Sequence, residues 1–489
     1  MAAGHCRPIL PDMPKLTRRT CLTTAALGAA TLPVVATAQG PAQGPTVPPA
    51  TPPAPASPAL VQTEPAVADR ALFGAQSWTL ANGLRVVLAE SRRAPVVAHY
   101  LFYGAGGGED PAGKSGTAHF LEHMMFKGSA HVAPGAISLI VAKQGGQDNA
   151  FTSRDVTAYH QHIEASRLEL VMRMEADRFA GPTLPADTLE AERLVILEER
   201  RQRTDANPRA KFWEAQEAAL WGRQHWHGRP IIGWEEEIRA ITRDDLAAFY
   251  GRRYAPANAV LVVAGDVREA EFRRLAEDLY GSVPARPVQG RDRAPPPPMT
   301  GVQRFEQTDA AVREASLMRQ LLAPGLLVGE TQHAYPLEVL AHLLGTGPGS
   351  RLNRALVQAG LATSAGVSYS GDVPSFTTFS FAATARQGVA PARLEAAVDA
   401  EIARLLDGGV TEDEVRRSVR QLTAGAVLAL DGIGAAPRLL GDALASGLAM
   451  DTVEFWPRHI RAVTAPQVMA AAHAVLASPR GINAWHLPA

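Results

Sequence analysis

The sequence predicts an α+β protein built from two halves of similar order. Three observations carry that expectation. Short apolar runs of strand character are interspersed with longer stretches of helical periodicity through most of the 489 residues. A Pro-rich break, Pro284 to Pro298, ends in four consecutive prolines and divides the folded part. Beyond it the sequence of strand, helix and strands starts again, which suggests a duplicated unit.

The elements follow in order. Trp78 to Leu88 reads as a hairpin, two apolar runs around the Asn82-Gly83 turn. Pro95 to Phe102 is a strand. Helices are expected at 116–127, 134–144, 164–178 and 186–203. Another runs from Arg243 to Tyr250, with Asp244 and Asp245 favouring its start. Ala259 to Ala264 is a fully apolar strand and Arg268 to Tyr280 a helix. In the second half, strand material lies near 312–321 and helices at 332–344 and 350–359. Strands follow at 363–370 and 376–383, then helices at 391–407 and 411–428.

The N-terminus reads as an address. Lys15, Arg18 and Arg19 precede an apolar run from Leu22 to Val35, and Ala36-Thr37-Ala38 supplies a small-residue cleavage site. Residues 1–38 are therefore expected to be a signal peptide, and the protein to be exported and periplasmic. The Arg18-Arg19 pair fits the twin-arginine route and leaves the general route open. Met13 is a candidate start. Both cysteines, Cys6 and Cys21, precede the cut, so a Cys-ligated metal site and a disulfide scaffold are excluded from the mature chain. Residues 39–74 form a Pro-rich linker, with eight prolines between Pro41 and Pro58. No later apolar run is long enough to span a membrane. The formal net charge of −1 gives no basic field for nucleic acid. Lys is rare, occurring only at 15, 114, 127, 143 and 211.

His119-Phe120-Leu121-Glu122-His123 is an H-x-x-E-H run. On a helix, positions i and i+4 share a face, so both imidazoles can turn to one metal. Glu122 can reach water acidified by a zinc ion held there and take its proton. This is the inverzincin order. A catalytic zinc needs a third protein ligand. The run Glu192 to Glu199 offers candidates, with Glu192 and Glu199 two turns apart on one face and Glu198 pointing about 100° away.

With these residues in view, the chain resembles the pitrilysin/insulinase family of zinc peptidases, in particular its mitochondrial-processing-peptidase-like bacterial branch. The E-R-x-V-I-x-x-E pattern maps onto Glu192 through Glu199, and Glu199 stands 76 residues after His123. The resemblance spans about 75–489. It implies two homologous domains, each a mostly antiparallel sheet with helices packed on one face. The zinc-bearing domain would be 75–287, then a Pro-rich linker 288–302, then an inactive homologous domain 303–489. One zinc per chain would be held by His119, His123 and Glu199. Glu122 would be the general base, and Glu192 would orient a ligand imidazole. Asn149, Ala150, Phe151 and Thr152 would lie on an edge strand whose backbone binds a peptide as an added strand. Gly228 to Trp234 and Tyr254 to Asn258 also look family-like and read as structural.

The same resemblance marks an omission. Family members that act alone carry an Arg, and a Tyr seven residues later, after a G-S-R-L-type turn, here Gly349 to Leu352. The Arg position falls on Val357 and the Tyr position near Thr363. Tyr369 does not fit the spacing. The expectation is a zinc-bearing metalloendopeptidase subunit whose related partner supplies Arg and Tyr. A homodimer is less favoured, and a non-catalytic scaffold subunit is the alternative. A remote rival is an NTPase, because Gly108 to Ser115 matches G-x-x-x-x-G-K-[ST]. Glu109 and Asp110 would repel the phosphates, and the following helix carries the histidines.

Overall fold

The computed structural model describes residues 70–489, apart from Asp431. The expected signal peptide, both cysteines and residues 39–69 of the expected linker lie outside the described residues.

The first half holds β1 (Gln76–Thr79), β2 (Arg85–Glu90), β3 (Val96–Tyr103), β4 (Gln147–Thr152), β5 (Thr157–Glu164) and β6 (Ala259–Gly265). They form one sheet in the order β1-β2-β6-β3-β5-β4. The second half holds β7 (Val302–Asp309), β8 (Ser316–Ala323), β9 (Ala362–Ser368), β10 (Thr377–Ala385) and β11 (Gly481–Pro488), ordered β7-β11-β8-β10-β9. Set β1 aside and the two orders are identical strand for strand. Each sheet has a single parallel pair, β2 with β6 and β7 with β11, and every other pairing is antiparallel. The duplication is thus written in the topology even where sequence similarity between the halves has faded. The expected hairpin is present, with Trp78 opposite Val86.

The helices of the first half are α1 (Thr117–Met124), α2 (Ala136–Lys143), α3 (Leu168–Ala180), α4 (Ala186–Arg200), α5 (Pro208–Trp221), α6 (Glu235–Ala240), α7 (Arg243–Arg253) and α8 (Glu269–Leu279). Those of the second half include α9 (Ala334–Gly345), α10 (Pro391–Gly408), α11 (Glu412–Ala429), α12 (Ala435–Ser446) and α13 (Met450–Glu454). On one face of the first sheet, Leu88, Leu101, Leu261 and Val263 pack with Phe120, Phe179, Phe249 and Phe272 from the helices of the same half.

The opposite face of each sheet is apolar too, and each half covers the other's. Val87, Tyr100, Phe102 and Val262 pack against Leu440 and Leu444 of α12. In return α5 crosses to the second sheet, where Leu220 and Trp221 cluster with Ile482. Gln216 donates to Gln320 at 2.6 Å within that buried contact. Gly441 brings α12 close, since a Cβ there would stand 2.1 Å from Cε2 of Phe102.

The Pro-rich stretch between the halves is a strap rather than a loose linker. Arg291 donates to the Ser446 carbonyl at 2.7 Å and to the Asp155 carbonyl at 3.0 Å. Arg293 pairs with the buried Glu109 at 2.7 Å and also reaches Asp155. The end of the first linker is fastened as well. The backbone N–H groups of Phe73 and Ala75 each donate to the Glu454 carboxylate at 2.8 Å.

Candidate metal centre

The N-terminus of α1 is set by Asp110, whose carboxylate accepts from Gly116 N at 2.7 Å and Ala118 N at 2.8 Å. These would otherwise be orphan donors at the positive end of the helix dipole. Gly116 itself takes φ +90, and a Cβ there would press on the Ile232 carbonyl at 2.5 Å, so glycine is required. Burial pushes the Asp110 carboxyl up to about 7, against those two donors. A carboxylate therefore stands where the phosphate of an NTP would have to sit. Lys114 is engaged with Asp245 at 2.8 Å and Glu109 with Arg293, which removes the phosphate-loop reading.

α1 packs against α4. That contact brings His119 and His123 to Glu199. Nε2 of His119 lies 3.7 Å, and Nε2 of His123 3.4 Å, from Oε2 of Glu199. All three donor atoms fall within 4.8 Å of one another. Donors held about 2.0–2.2 Å from a tetrahedral zinc stand roughly 3.3–3.5 Å apart. The trio therefore fits zinc in atom type, and the two histidine-to-Glu199 separations lie close to that spacing. Glu198 points away as expected and bonds Arg201 and Gln202, each at 2.6 Å.

Two outer contacts bear on the trio. His123 donates from Nδ1 to Oε1 of Glu192 at 2.8 Å, which turns its Nε2 toward Glu199. Lys127 holds the other oxygen of Glu192 at 2.5 Å. Arg203, on the π-helical turn that extends α4, holds Oε1 of Glu199 at 2.5 Å. The buried Nδ1 of His119 has no protein partner among the described residues. Burial, reinforced by the neighbouring His123, draws His119 down to about 4. Burial opposes protonation of His123 as well, but its bonds to Glu192 and Glu199 prevail and lift it to about 9. Burial would raise Glu199, yet the two histidines and Arg203 bring it down to about 2. A metal held by this trio would have to displace a proton from His123.

Glu122 is buried beside the trio, and burial raises its carboxyl. Its Oε2 accepts from the Thr152 hydroxyl at 2.5 Å. The side chains of the expected substrate strand thus have varied tasks. Thr152 fixes Glu122. Phe151 turns to the face covered by α12, 6.0 Å from Phe102, with the Arg438 guanidinium 4.4 Å from its ring centroid. Ala150 packs on the first core and Asn149 is exposed. β4 is the last strand of its sheet, with one edge unpaired among the described residues. Sequence reading had missed Thr152 as a partner of the base, together with Lys127 and Arg203. For the last two a signal existed, since Lys127 stands four residues after His123 and Arg203 four after Glu199.

In the second half, Val357 packs against that half's own core and the Thr363 hydroxyl contacts the Thr384 carbonyl. Tyr369 donates to the Pro324 carbonyl at 2.7 Å, so its phenol is engaged inside its own half. Trp234 N donates to the Ser115 hydroxyl and Asn258 to the Arg253 carbonyl. Both family-like stretches are thus structural supports.

Residues 85–232 match the family described as Insulinase (Peptidase family M16), and residues 240–422 match Peptidase M16 inactive domain. An uncharacterised zinc protease of Mycobacterium leprae is 31% identical over 402 residues, 81% of this chain and 88% of that protein. The crystal structure of a protease from Helicobacter pylori superposes with a TM-score of 0.77 at 23% identity, covering 85% of this chain and 99% of that one. Pitrilysin superposes with a TM-score of 0.70 at 18% identity, over 85% of this chain but only 44% of its own. On these similarities the chain belongs to the insulinase family of peptidases, M16.

Proposed function

We propose that this protein is a zinc metalloendopeptidase that cleaves peptides or unfolded polypeptides. The observation that carries the reading is the convergence of His119, His123 and Glu199 on one point, with Glu122 buried beside them. The zinc-protease name of the M. leprae relative supports it. When bound, zinc supplies a Lewis acid that acidifies water and polarises the scissile carbonyl. His119, His123 and Glu199 would hold the ion, one per chain. Glu122 takes the proton of the attacking water and later delivers it to the leaving amine. Thr152 fixes one oxygen of Glu122, which aims the carboxylate during both transfers. The unpaired edge of β4 takes the substrate as an added strand, so affinity comes from main-chain hydrogen bonds and tolerates varied sequence.

We further propose that a related subunit completes the site by supplying an Arg and a Tyr. Val357 and Thr363 cannot do their work, and this chain spans less than half of pitrilysin. The complete metal set argues against a scaffold role. Residues 1–38 support export to the periplasm, and no described helix is long and apolar enough to cross a membrane. The test is cleavage of an unfolded polypeptide by the zinc-loaded chain, alone and with any subunit that co-purifies from the native host. Slow cleavage alone and fast cleavage with the subunit is expected. Full speed alone would remove the partner. No cleavage in either preparation would remove the peptidase.

A further inference from the structure

His123 is not held by Glu192 alone. The chain turns on past the end of α1, with Phe126 N donating to the His123 carbonyl and Lys127 N to the Met124 carbonyl. Lys127 therefore falls one helical turn beyond His123, on the side facing α4. Its ammonium meets Oε2 of Glu192 at 2.5 Å, while Oε1 of the same carboxylate takes the His123 Nδ1–H at 2.8 Å. Each oxygen has one partner, so the carboxylate plane is fixed from both ends.

Nothing on α4 could replace the lysine. The residues three and four away from Glu192 are Leu189, Val195, Thr188 and Ile196, none of them cationic. Only 10% of the Glu192 side chain is exposed and 29% of Lys127, so water competes weakly for this contact. Without the ammonium, Glu192 would keep a single hydrogen bond and could turn about its last torsion. The ring of His123 would then lose its fixed direction.

We propose that Lys127 is a positioning residue of the metal centre: through Glu192 it fixes the His123 ring with Nε2 toward Glu199 and so strengthens zinc binding. This rests on the reading of the trio as a zinc site. It concerns the affinity of the centre and requires no turnover to be seen.

The experiment is a competition titration of zinc against a chromogenic chelator. It uses the full chain as wild type, Lys127→Met, Lys127→Arg, Glu192→Gln and the double variant Lys127→Met/Glu192→Gln. Outer partners of a ligand imidazole are worth about 10–100-fold in metal affinity. Lys127→Met should weaken zinc about tenfold, and Lys127→Arg should recover most of the loss. In the Glu192→Gln background the lysine substitution should change affinity by less than about twofold, because the pair acts as a unit. Losing the ammonium beside the buried Glu192 carboxylate also costs folding stability, so the metal-free melting temperature is measured alongside, and Lys127→Arg, which keeps the charge, should stay close to wild type there. Wild-type affinity in Lys127→Met would overturn the proposal. So would an equal loss in both backgrounds, which would show that Lys127 acts otherwise than through Glu192. A wild-type chain that binds no zinc would overturn the metal centre as well, and so marks the failure of the broader reading.

Discussion

Replacing Gly441 with Ala should destabilise the protein, although the same change in an open helix stabilises. Gly441 lies inside α12, where this helix of the second half covers the first sheet. A Cβ built there falls 2.1 Å from Cε2 and 2.4 Å from Cδ2 of the fully buried Phe102. Carbon atoms settle at about 3.5–4.0 Å, so helix and ring must part by more than an ångström. Such overpacking costs about 1–3 kcal/mol, against a helix-propensity gain of up to about 1 kcal/mol. The net loss should reach about 2 kcal/mol. Gly425 in α11 is the control, because nothing lies within 4 Å of its added Cβ. Gly425→Ala should gain about 0.5–1 kcal/mol. Urea unfolding followed by far-ultraviolet circular dichroism would place the two variants on opposite sides of wild type. Equal stabilisation of both would refute the claim that α12 seals the first sheet at Phe102.

Thr152→Val should lower kcat about tenfold or more with little change in KM and full zinc content, since a hydrogen bond to a charged group is worth about 1.5–3 kcal/mol. Steady-state kinetics beside metal analysis would check it, with Thr152→Ser restoring the rate. Arg293→Met should cost less than the about 3–5 kcal/mol of a buried pair broken outright, because it removes one of two arginines beside the buried Glu109 and leaves Arg291 at 3.8 Å. Denaturant midpoints would measure that loss. Burial raises Glu338 to about 7, against the hydrogen bond from Trp456. Its folded pKa lies above the unfolded one, so its contribution is complete below about pH 4.5 and fades as pH rises through 7. A shift from 4.5 to about 7 amounts to roughly 3 kcal/mol. Glu338→Gln, which still accepts from Trp456, should flatten the fall in stability between pH 5 and 8. An unchanged slope would show that Glu338 does not titrate across that range.

What the sequence disclosed follows physical lines. β6 was legible because all seven of its residues are buried and apolar. α1 and α4 were legible because ligand spacing and helical period coincide. β5 went unseen because it carries His160, Gln161 and His162. Its polar groups are satisfied only in three dimensions, by Gln161 on His99 at 2.9 Å and by His160 stacked on Tyr100 at 4.6 Å. β7 was hidden by its edge position, which leaves Gln303 and Arg304 exposed and no clear alternation to read. α5 has little amphipathic signal because it answers to both halves, with Phe212 stacked on His486 of the second and Glu214 paired with Arg200 of the first. The strap read as a linker from its prolines, while its two arginines find their partners far away in sequence. At the site, the motif led to the trio and to Glu122 buried beside it. The task of Thr152 depended on how β4 meets α1, and no local pattern records that.

The account stands most directly on Glu122. Hydrolysis of an unfolded polypeptide should be measured for wild type and Glu122→Gln, each loaded with zinc and supplied with the same co-purified subunit. The account predicts equal zinc content and turnover reduced to background in the variant. Turnover at the wild-type rate with Gln at position 122 would contradict it.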